Sequence, residues 1–354
     1  MAASDNGQLI REQVVAAFER KMKLRIMSGG TKAFYGRTTY GEPLDMRQHR
    51  GIVNYDPTEL VLTVRSGTTL TEIETALDAQ EQMLPFEPPH FGQQASIGGT
   101  IATGLAGPRR PYSSSVRDCV LGCQLINGKG EYLHFGGQVM KNVAGYDVSR
   151  LVTGSMGTLG VMLQFSIKVL PKPAGCITLI QKHSAEEALH MMNRIKGNPL
   201  PVDASCYHEG NLYIRLSGSI AALESAHNQL GGDLYNEGEQ FWHQLREHEL
   251  AFFTAAKTLW RLSVKPSTPK LALDGQQLID WGGAQRWLAS EEPEQKIRAV
   301  VAEAGGHATL FRGGDRTGEI FHPLSPALMV IHQNLKKAFD PGAICNPGAM
   351  YANL

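Results

Sequence analysis

The sequence predicts an α+β fold in two successive parts, on three observations. Helices and strands alternate from the first residues, glycines crowd one ordered stretch, and the composition changes near residue 170. The chain has 354 residues, more than one ordinary hydrophobic core organises, so two or three domains are expected.

From Gln8 to Arg20 the apolar residues Leu9, Ile10, Val14, Ala17 and Phe18 approximate a helical stripe, and LRIMSGG reads as a short strand closed by a turn. GIVNYDPTELVLTVRSGTTLTEIETALDAQ then supplies a strand, a Tyr-Asp-Pro turn, an alternating strand through Val61 and Val64, and a helix capped near Thr69 or Thr71. Between Gly92 and Gly160, 14 of 69 residues are glycine, about twice the density of the whole chain, which has 38 in 354. Strand-like runs, CVLGCQLI and TLGVMLQFSIKVL, lie in the same stretch. Its glycines therefore punctuate ordered structure where the backbone approaches something closely. A strand through Cys119 and Cys123 places both on one face, as small buried apolar residues.

LPKPAG at 170–175 marks a domain boundary. Beyond it the strand NLYIRLSG and the amphipathic helices SAEEALHMMNRIKG and GEQFWHQLREHEL build an α+β layer. Phe241, Trp242, Phe252, Phe253 and Trp260 are read as core first and as subunit interface second. The tail KKAFDPGAICNPGAMYANL is rich in Gly and Pro but carries apolar anchors, and is expected to be ordered.

Lys plus Arg equals Asp plus Glu at 34 each, so no global field draws the chain onto nucleic acid or anionic lipid. The start, MAASDNGQLIREQ, lacks a basic segment followed by an apolar run, and no stretch approaches the roughly 18 consecutive apolar residues of a membrane span. A cytoplasmic protein is expected. Cys119, Cys123, Cys176, Cys206 and Cys345 form no Cys-x-x-Cys pair and no Cys/His metal spacing, which argues against disulfides and against a metal or iron-sulfur site in this chain.

Ser28-Gly29-Gly30-Thr31-Lys32 follows a strand, and consecutive small residues there can turn several N–H groups toward one anion, with a hydroxyl and an ammonium nearby. A strand-ending turn that needs positive φ is the alternative. Neither the Walker nor the Rossmann glycine pattern occurs. Ser96-Ile97-Gly98-Gly99-Thr100-Ile101-Ala102-Thr103-Gly104 alternates apolar with tiny residues, which either lets a planar ligand lie on bare backbone or makes a tightly packed turn. Ser113 to Asp118 supplies hydroxyls and an Arg117/Asp118 pair. Lys141-Asn142-Val143-Ala144-Gly145-Tyr146-Asp147 and Gly154-Ser155-Met156-Gly157-Thr158-Leu159-Gly160-Val161 complete the series.

In this order and spacing the blocks resemble the FAD-binding domain of the vanillyl-alcohol oxidase and para-cresol methylhydroxylase family. IVNYDPTELV, MLPFEPPHFG, GLAGPRRPYS, VRDCVLG, FGGQVMKNVAGYD, QLIDWGGA, GGHAT and NPGAMYA look like the FAD-binding subunits of bacterial glycolate oxidases over nearly the whole chain. The resemblance implies a two-part FAD-binding domain over 1–172, an α+β cap over 173–330, and a tail over 331–354 that returns to the FAD domain. It implies noncovalent FAD, with Ser28, Gly29, Gly30, Thr31, Lys32, Ser96, Gly98, Gly99, Thr100 and Gly104 at the pyrophosphate. Ser115, Asp118, Gly157, Gly160 and Val161 would approach adenine, ribose or flavin. His90, in the PPHFG turn, is the candidate should the flavin be covalently attached.

The reaction implied is oxidation of glycolate, with D-lactate as a further 2-hydroxy acid, to the 2-oxo acid. Electrons pass to a non-nicotinamide acceptor, inside a complex with a larger catalytic flavoprotein and an iron-sulfur subunit that could hold the chain at the inner face of the cell membrane. Such chemistry needs a carboxylate clamp and a base or metal for the substrate hydroxyl. Two departures bear on it. The His-x-Gly-Asp-Gly-Asn-x-His type segment of catalytic relatives is reduced to Gly313-Gly314-Asp315, and Met156 stands where an acid is frequent. The remaining catalytic candidates are Arg109 and Arg110, as a clamp or as exposed arginines in a Pro-flanked loop, together with His307 and His322. A self-sufficient D-2-hydroxyacid dehydrogenase and a non-catalytic scaffold of the same complex are the alternatives.

Overall fold

The computed structural model describes residues 3–137 and 147–354. Residues 141–146, most of the Lys141 to Asp147 block, lie outside the described residues. The chain divides into two compact units: Met1–Leu105 with Ser115–Pro171 and Arg316–Leu354, and Ala106–Ser114 with Lys172–Asp315. The partition is thus not contiguous, because one loop of the glycine-rich region belongs to the second unit and the last 39 residues, 316–354, to the first.

In the first unit α1 (Gly7–Arg20) buries Ile10, Val14 and Ala17 at helical spacing, whereas Leu9 and Phe18 of the expected stripe flank it and stay exposed. β1 (Leu24–Met27) pairs in parallel with β2 (Glu42–Asp45). β3 (Ile52–Asp56) and β4 (Val61–Arg65) follow, and α2 (Leu70–Asp78) opens with a capping box between Thr69 and Glu72. Then come β5 (Gln82–Met83), α3 (Ile97–Thr103), α4 (Val116–Cys119), β6 (Val120–Ile126), β7 (Tyr132–Gly136), α5 (Val148–Leu151), β8 (Val161–Lys168) and β9 (Leu170–Pro171). An antiparallel sheet runs in the order β3-β4-β8-β6-β7. Leu24, Leu44, Val161 and Leu163 join the buried face of α1 in one core.

Cys119 does not share a strand with Cys123. A capping box between Ser115 and Asp118 winds one helical turn there, and β6 starts one residue later, although both thiols are buried.

The second unit comprises β10 (Gly175–Lys182), α6 (Ala185–Lys196), β11 (Val202–His208), β12 (Asn211–Gly218), α7 (Ile220–Leu230), β13 (Asp233–Leu234), α8 (Gly238–Glu247), α9 (Ala251–Thr254), β14 (Leu259–Ser263), β15 (Gln276–Asp280), β16 (Gln285–Ala289), α10 (Glu294–Glu303) and β17 (His307–Arg312). Its strands form one antiparallel sheet in the order β13-β10-β12-β11-β15-β16-β14-β17. α6 and α7 lay Leu189, Met192, Ile195 and Leu223 onto Leu179, Leu212, Ile214 and Leu216. The five aromatic residues weighed as interface are all core: Trp242 stacks edge-on to Phe241, Phe253 lies against Phe252 and Trp287, and Trp260 is buried.

The chain ends in the first unit with α11 (Pro326–Phe339), capped by Ser325 with Pro at the first turn. Its Lys336 is buried and donates to Thr158 O at 2.7 Å, Asp340 Oδ2 at 2.8 Å and Cys345 O at 2.7 Å. Asp340 in turn accepts from the N–H groups of Ile344 and Cys345 at 3.0 and 2.7 Å. All three ammonium hydrogens have acceptors, the condition under which a buried ion pair is tolerated. Among the described residues no helix is long and apolar enough to cross a membrane.

Candidate functional site

A cavity of about 340 Å³ opens in the first unit, within the 300–1,000 Å³ range of small-molecule sites. Its walls are the turn after β1, Ser66, the start of α3, the Met156-Gly157 turn with Gly160, and Asn346 and Ala349 of the tail.

The turn Ser28 to Lys32 follows β1 directly. A Cβ on Gly29 would lie 1.5 Å from the carbonyl oxygen of Gln94, so only glycine fits. Gly30 has φ +72, and a Cβ there would meet nothing within 4 Å. Ala33 N–H and Tyr35 N–H close the turn onto Gly30 O and Lys32 O at 3.0 Å each. Among the described residues the N–H groups of Gly29, Gly30 and Thr31 meet no acceptor. The Ser28 and Ser66 hydroxyls are buried and equally without partners. Five donors on cavity-lining residues therefore lack an acceptor, and an anionic group such as a pyrophosphate supplies what they need. Lys32 turns its ammonium to the carbonyl of His90 at 3.3 Å, with the Phe91 ring 5.9 Å away.

The second glycine segment is built differently. It is a helix, α3, and its first amides already have acceptors: Ile97 N–H donates to Thr68 O at 3.0 Å, Gly98 N–H to Ser66 O at 2.8 Å, and Gly99 N–H to the capping Ser96 hydroxyl at 3.2 Å. What it contributes is thinness. A Cβ on Gly98 would lie 2.7 Å from Ser66 O, while Ser96, Gly98 and Gly99 line the cavity. Thr100 is fully buried and donates its hydroxyl to Ser96 O at 3.0 Å, and Gly104 ends α3 at φ +65; neither is in the lining.

Gly157 and Gly160 are in the lining, but Val161 is buried at the start of β8. Met156, at φ +55, lines the cavity. Ser115 and Asp118 are outside the lining; the Ser115 hydroxyl donates to Asp118 at 2.5 Å, and Arg150 stands 3.7 Å from that carboxylate. Asn346 and Arg25 are lining residues that the sequence reading did not single out. The Asn-Pro-Gly in the tail was the available signal for the first. For the second there was none, since an arginine inside a short strand looks like any solvated charge.

The arginine and histidine candidates have other engagements. Arg109 is not an exposed loop residue: its guanidinium meets Asp203 at 2.9 Å with the side chain 13% exposed. Asp203 is also 3.0 Å from Arg215 Nε, as an ion pair rather than an aligned hydrogen bond, and accepts from the Ser217 hydroxyl at 2.7 Å. Arg110 lies over the Trp281 ring at 4.7 Å, and the indole N–H of Trp281 donates to Gly107 O at 3.0 Å. Tyr112, bonded to Ser205 at 2.6 Å, is pushed up to about 12 by burial. These contacts tie the Ala106–Ser114 loop into the second unit. Burial, with Arg261 nearby, holds His307 below the usual histidine range, so it is neutral near pH 7. His322 accepts from the Tyr351 hydroxyl through its carbonyl at 3.0 Å. His90 meets Glu74 at 3.0 Å and is outside the cavity lining.

Residues 4–136 match the family model described as an FAD binding domain. The fold is that of p-cresol methylhydroxylase with substrate bound, at TM-score 0.71 and 15% identity over 98% of this chain and 88% of that one. The mixed α+β, FAD-binding fold expected from the sequence is thus the one observed. Glycolate oxidase subunit GlcD of Bacillus subtilis (strain 168) is 33% identical over 129 residues, 36% of this chain and 27% of that protein. Glycolate oxidase subunit GlcE of Escherichia coli (strain K12) is 50% identical over 350 residues, which cover 99% of both chains. With such identity sustained from end to end, the chain belongs to the GlcE family of FAD-linked glycolate oxidase subunits.

Proposed function

We propose that the first unit holds one FAD noncovalently in this cavity, and that the chain serves a glycolate oxidase beside a GlcD-type catalytic flavoprotein and an iron-sulfur subunit. The observation that carries the reading is the set of five donors without acceptors, the amides of Gly29, Gly30 and Thr31 and the hydroxyls of Ser28 and Ser66, on residues around one cavity. They would hold the pyrophosphate, and Gly98 and Gly99 would let the cofactor lie close to α3. Arg25, an exposed residue of the lining, would add a cation to the cavity. When bound, FAD accepts a hydride from the α-carbon of a 2-hydroxy acid. Noncovalent binding is supported by His90, whose ring is held by Glu74.

Among the described residues the lining contains no Asp, Glu or His to take the proton of a substrate hydroxyl. Oxidation of glycolate, and of D-lactate if it is accepted, is therefore assigned to the assembled complex. The chain works in the cytoplasm and reaches the membrane only through its partners.

Anaerobic spectra of the purified full chain test this. The chain should be yellow, release all its FAD on acid denaturation, and keep its flavin band, near ~450 nm as for oxidised flavins, when glycolate is added. Bleaching should need the other subunits. Bleaching of the isolated chain as fast as the complex would make it a self-sufficient dehydrogenase, and a colourless chain that cannot be reconstituted would leave only a scaffold.

A further inference from the structure

We infer that Asn346 is the positioning residue of a C-terminal latch that couples order of the tail to occupancy of the cavity, an inference that rests on reading the cavity as the FAD site. One side chain joins three segments. Its Oδ1 accepts from Ile26 N–H in β1 at 2.7 Å, and its Nδ2 donates to Met156 O in the opposite wall at 2.7 Å. Its own N–H donates to Leu24 O at 3.0 Å. The two side-chain bonds span 320 and 190 residues of sequence.

The surroundings fit this one amide. Asn346 adopts φ +39, a left-handed conformation that asparagine tolerates better than most residues. Gly157, at φ +70, leaves the space beside it, since a Cβ there would lie 2.8 Å from Asn346 Nδ2. A planar amide offers an acceptor and a donor at once; a carboxylate keeps the first and loses the second.

The tail also covers the free edge of β1. Leu24 N–H donates to Ile344 O at 2.7 Å, and Leu24 bridges Cys345 in parallel, so β1 is held between β2 and the tail. The strand that presents Ser28, Gly29 and Gly30 is thereby fixed by residues near the C-terminus. Upstream, the Lys336 and Asp340 network anchors the same tail, and Lys336 also ties it to Thr158 O in the turn that carries Gly157 and Gly160. A ligand that bridges the β1 turn and the Met156 wall stabilises the arrangement Asn346 requires, and linkage makes the effect reciprocal: whatever factor tail order adds to cofactor affinity, the cofactor adds to tail order.

The test uses the full chain, stripped of flavin and titrated with FAD by flavin fluorescence, with amide exchange of residues 340–354 followed with and without FAD. In the wild type FAD should slow exchange in that segment. Asn346→Ala, losing two partly buried hydrogen bonds, should bind FAD about 10- to 100-fold more weakly and lose the protection. Asn346→Asp keeps the acceptor for Ile26 N–H but turns an oxygen toward Met156 O and adds a negative charge to the lining, so it should weaken FAD at least as much as the alanine variant, and it serves if that variant does not fold. Variants that bind FAD within about twofold of wild type, or a wild-type tail whose exchange ignores FAD, would overturn the latch alone. A wild-type chain that takes up no FAD would overturn the cavity reading and the latch with it.

Discussion

Around the cavity of the first unit, Ser28 and Ser66 keep buried hydroxyls without partners among the described residues, whereas in the second unit one carboxylate, Asp203, serves Arg109, Arg215 and Ser217 together. Both regions carry polar groups out of water, which is costly unless they are bonded. At Asp203 the chain supplies its own counter-charges, so those residues hold the fold. At the turn after β1 it supplies no acceptor among the described residues, and that local deficit marks where a ligand completes the structure. An arginine or a serine is thus informative less by its type than by whether its own chain has already used it.

The largest test of this contrast is Asp203→Ala. It leaves Arg109 and Arg215 as buried or nearly buried cations without their carboxylate, so the unfolding free energy should fall by about 3–5 kcal/mol, the usual result of removing one partner of a buried pair. Urea denaturation followed by tryptophan fluorescence measures it, with Trp242 5.1 Å from the Arg215 guanidinium as a near reporter. FAD affinity should hold within about twofold. A large loss of affinity with little loss of stability would reverse the roles given to the two units.

Gly29→Ala comes next and acts on the other side. Its Cβ would lie 1.5 Å from Gln94 O, an overlap that only backbone movement relieves, so the three open amides of the turn should be displaced. FAD affinity should drop by more than about 100-fold, measured by fluorescence titration. Retention of wild-type affinity would show that the turn does not hold the cofactor.

What the sequence revealed, and what it hid, follows from how far each interaction reaches. Gly29 and Gly30 were legible because a missing Cβ and a positive φ are local needs that leave a glycine in the sequence. α3 was not, since two glycines lower its helix propensity and its form depends on Ser96 and on bonds to Ser66 and Thr68. The strand through Cys119 failed for the opposite reason, a local capping box that outweighed β-type composition. Arg109 looked available because its partner, Asp203, lies far along the chain, and no spacing rule reaches it. Asn346 is harder still. Its meaning lies in one accepted and one donated bond to segments 320 and 190 residues away, which no window of sequence contains.

The smallest effect expected is also the one with the sharpest sign. Ser28→Ala and Ser66→Ala each delete a hydroxyl that is buried and has no partner among the described residues. If those hydroxyls were structural, removing them would destabilise the flavin-free chain. Here they are unsatisfied, and an unmet buried polar group costs roughly 1–3 kcal/mol, so the flavin-free variants should unfold at the same or slightly higher temperature. With FAD the sign reverses. Each variant loses one hydrogen bond to an anionic group, and affinity should fall by about three- to tenfold. Thermal unfolding with and without FAD reads both quantities on one sample. Variants less stable without FAD and unchanged in affinity would mean that the hydroxyls belong to the fold, and the distinction between the two units would then rest on the Gly29 to Thr31 amides alone.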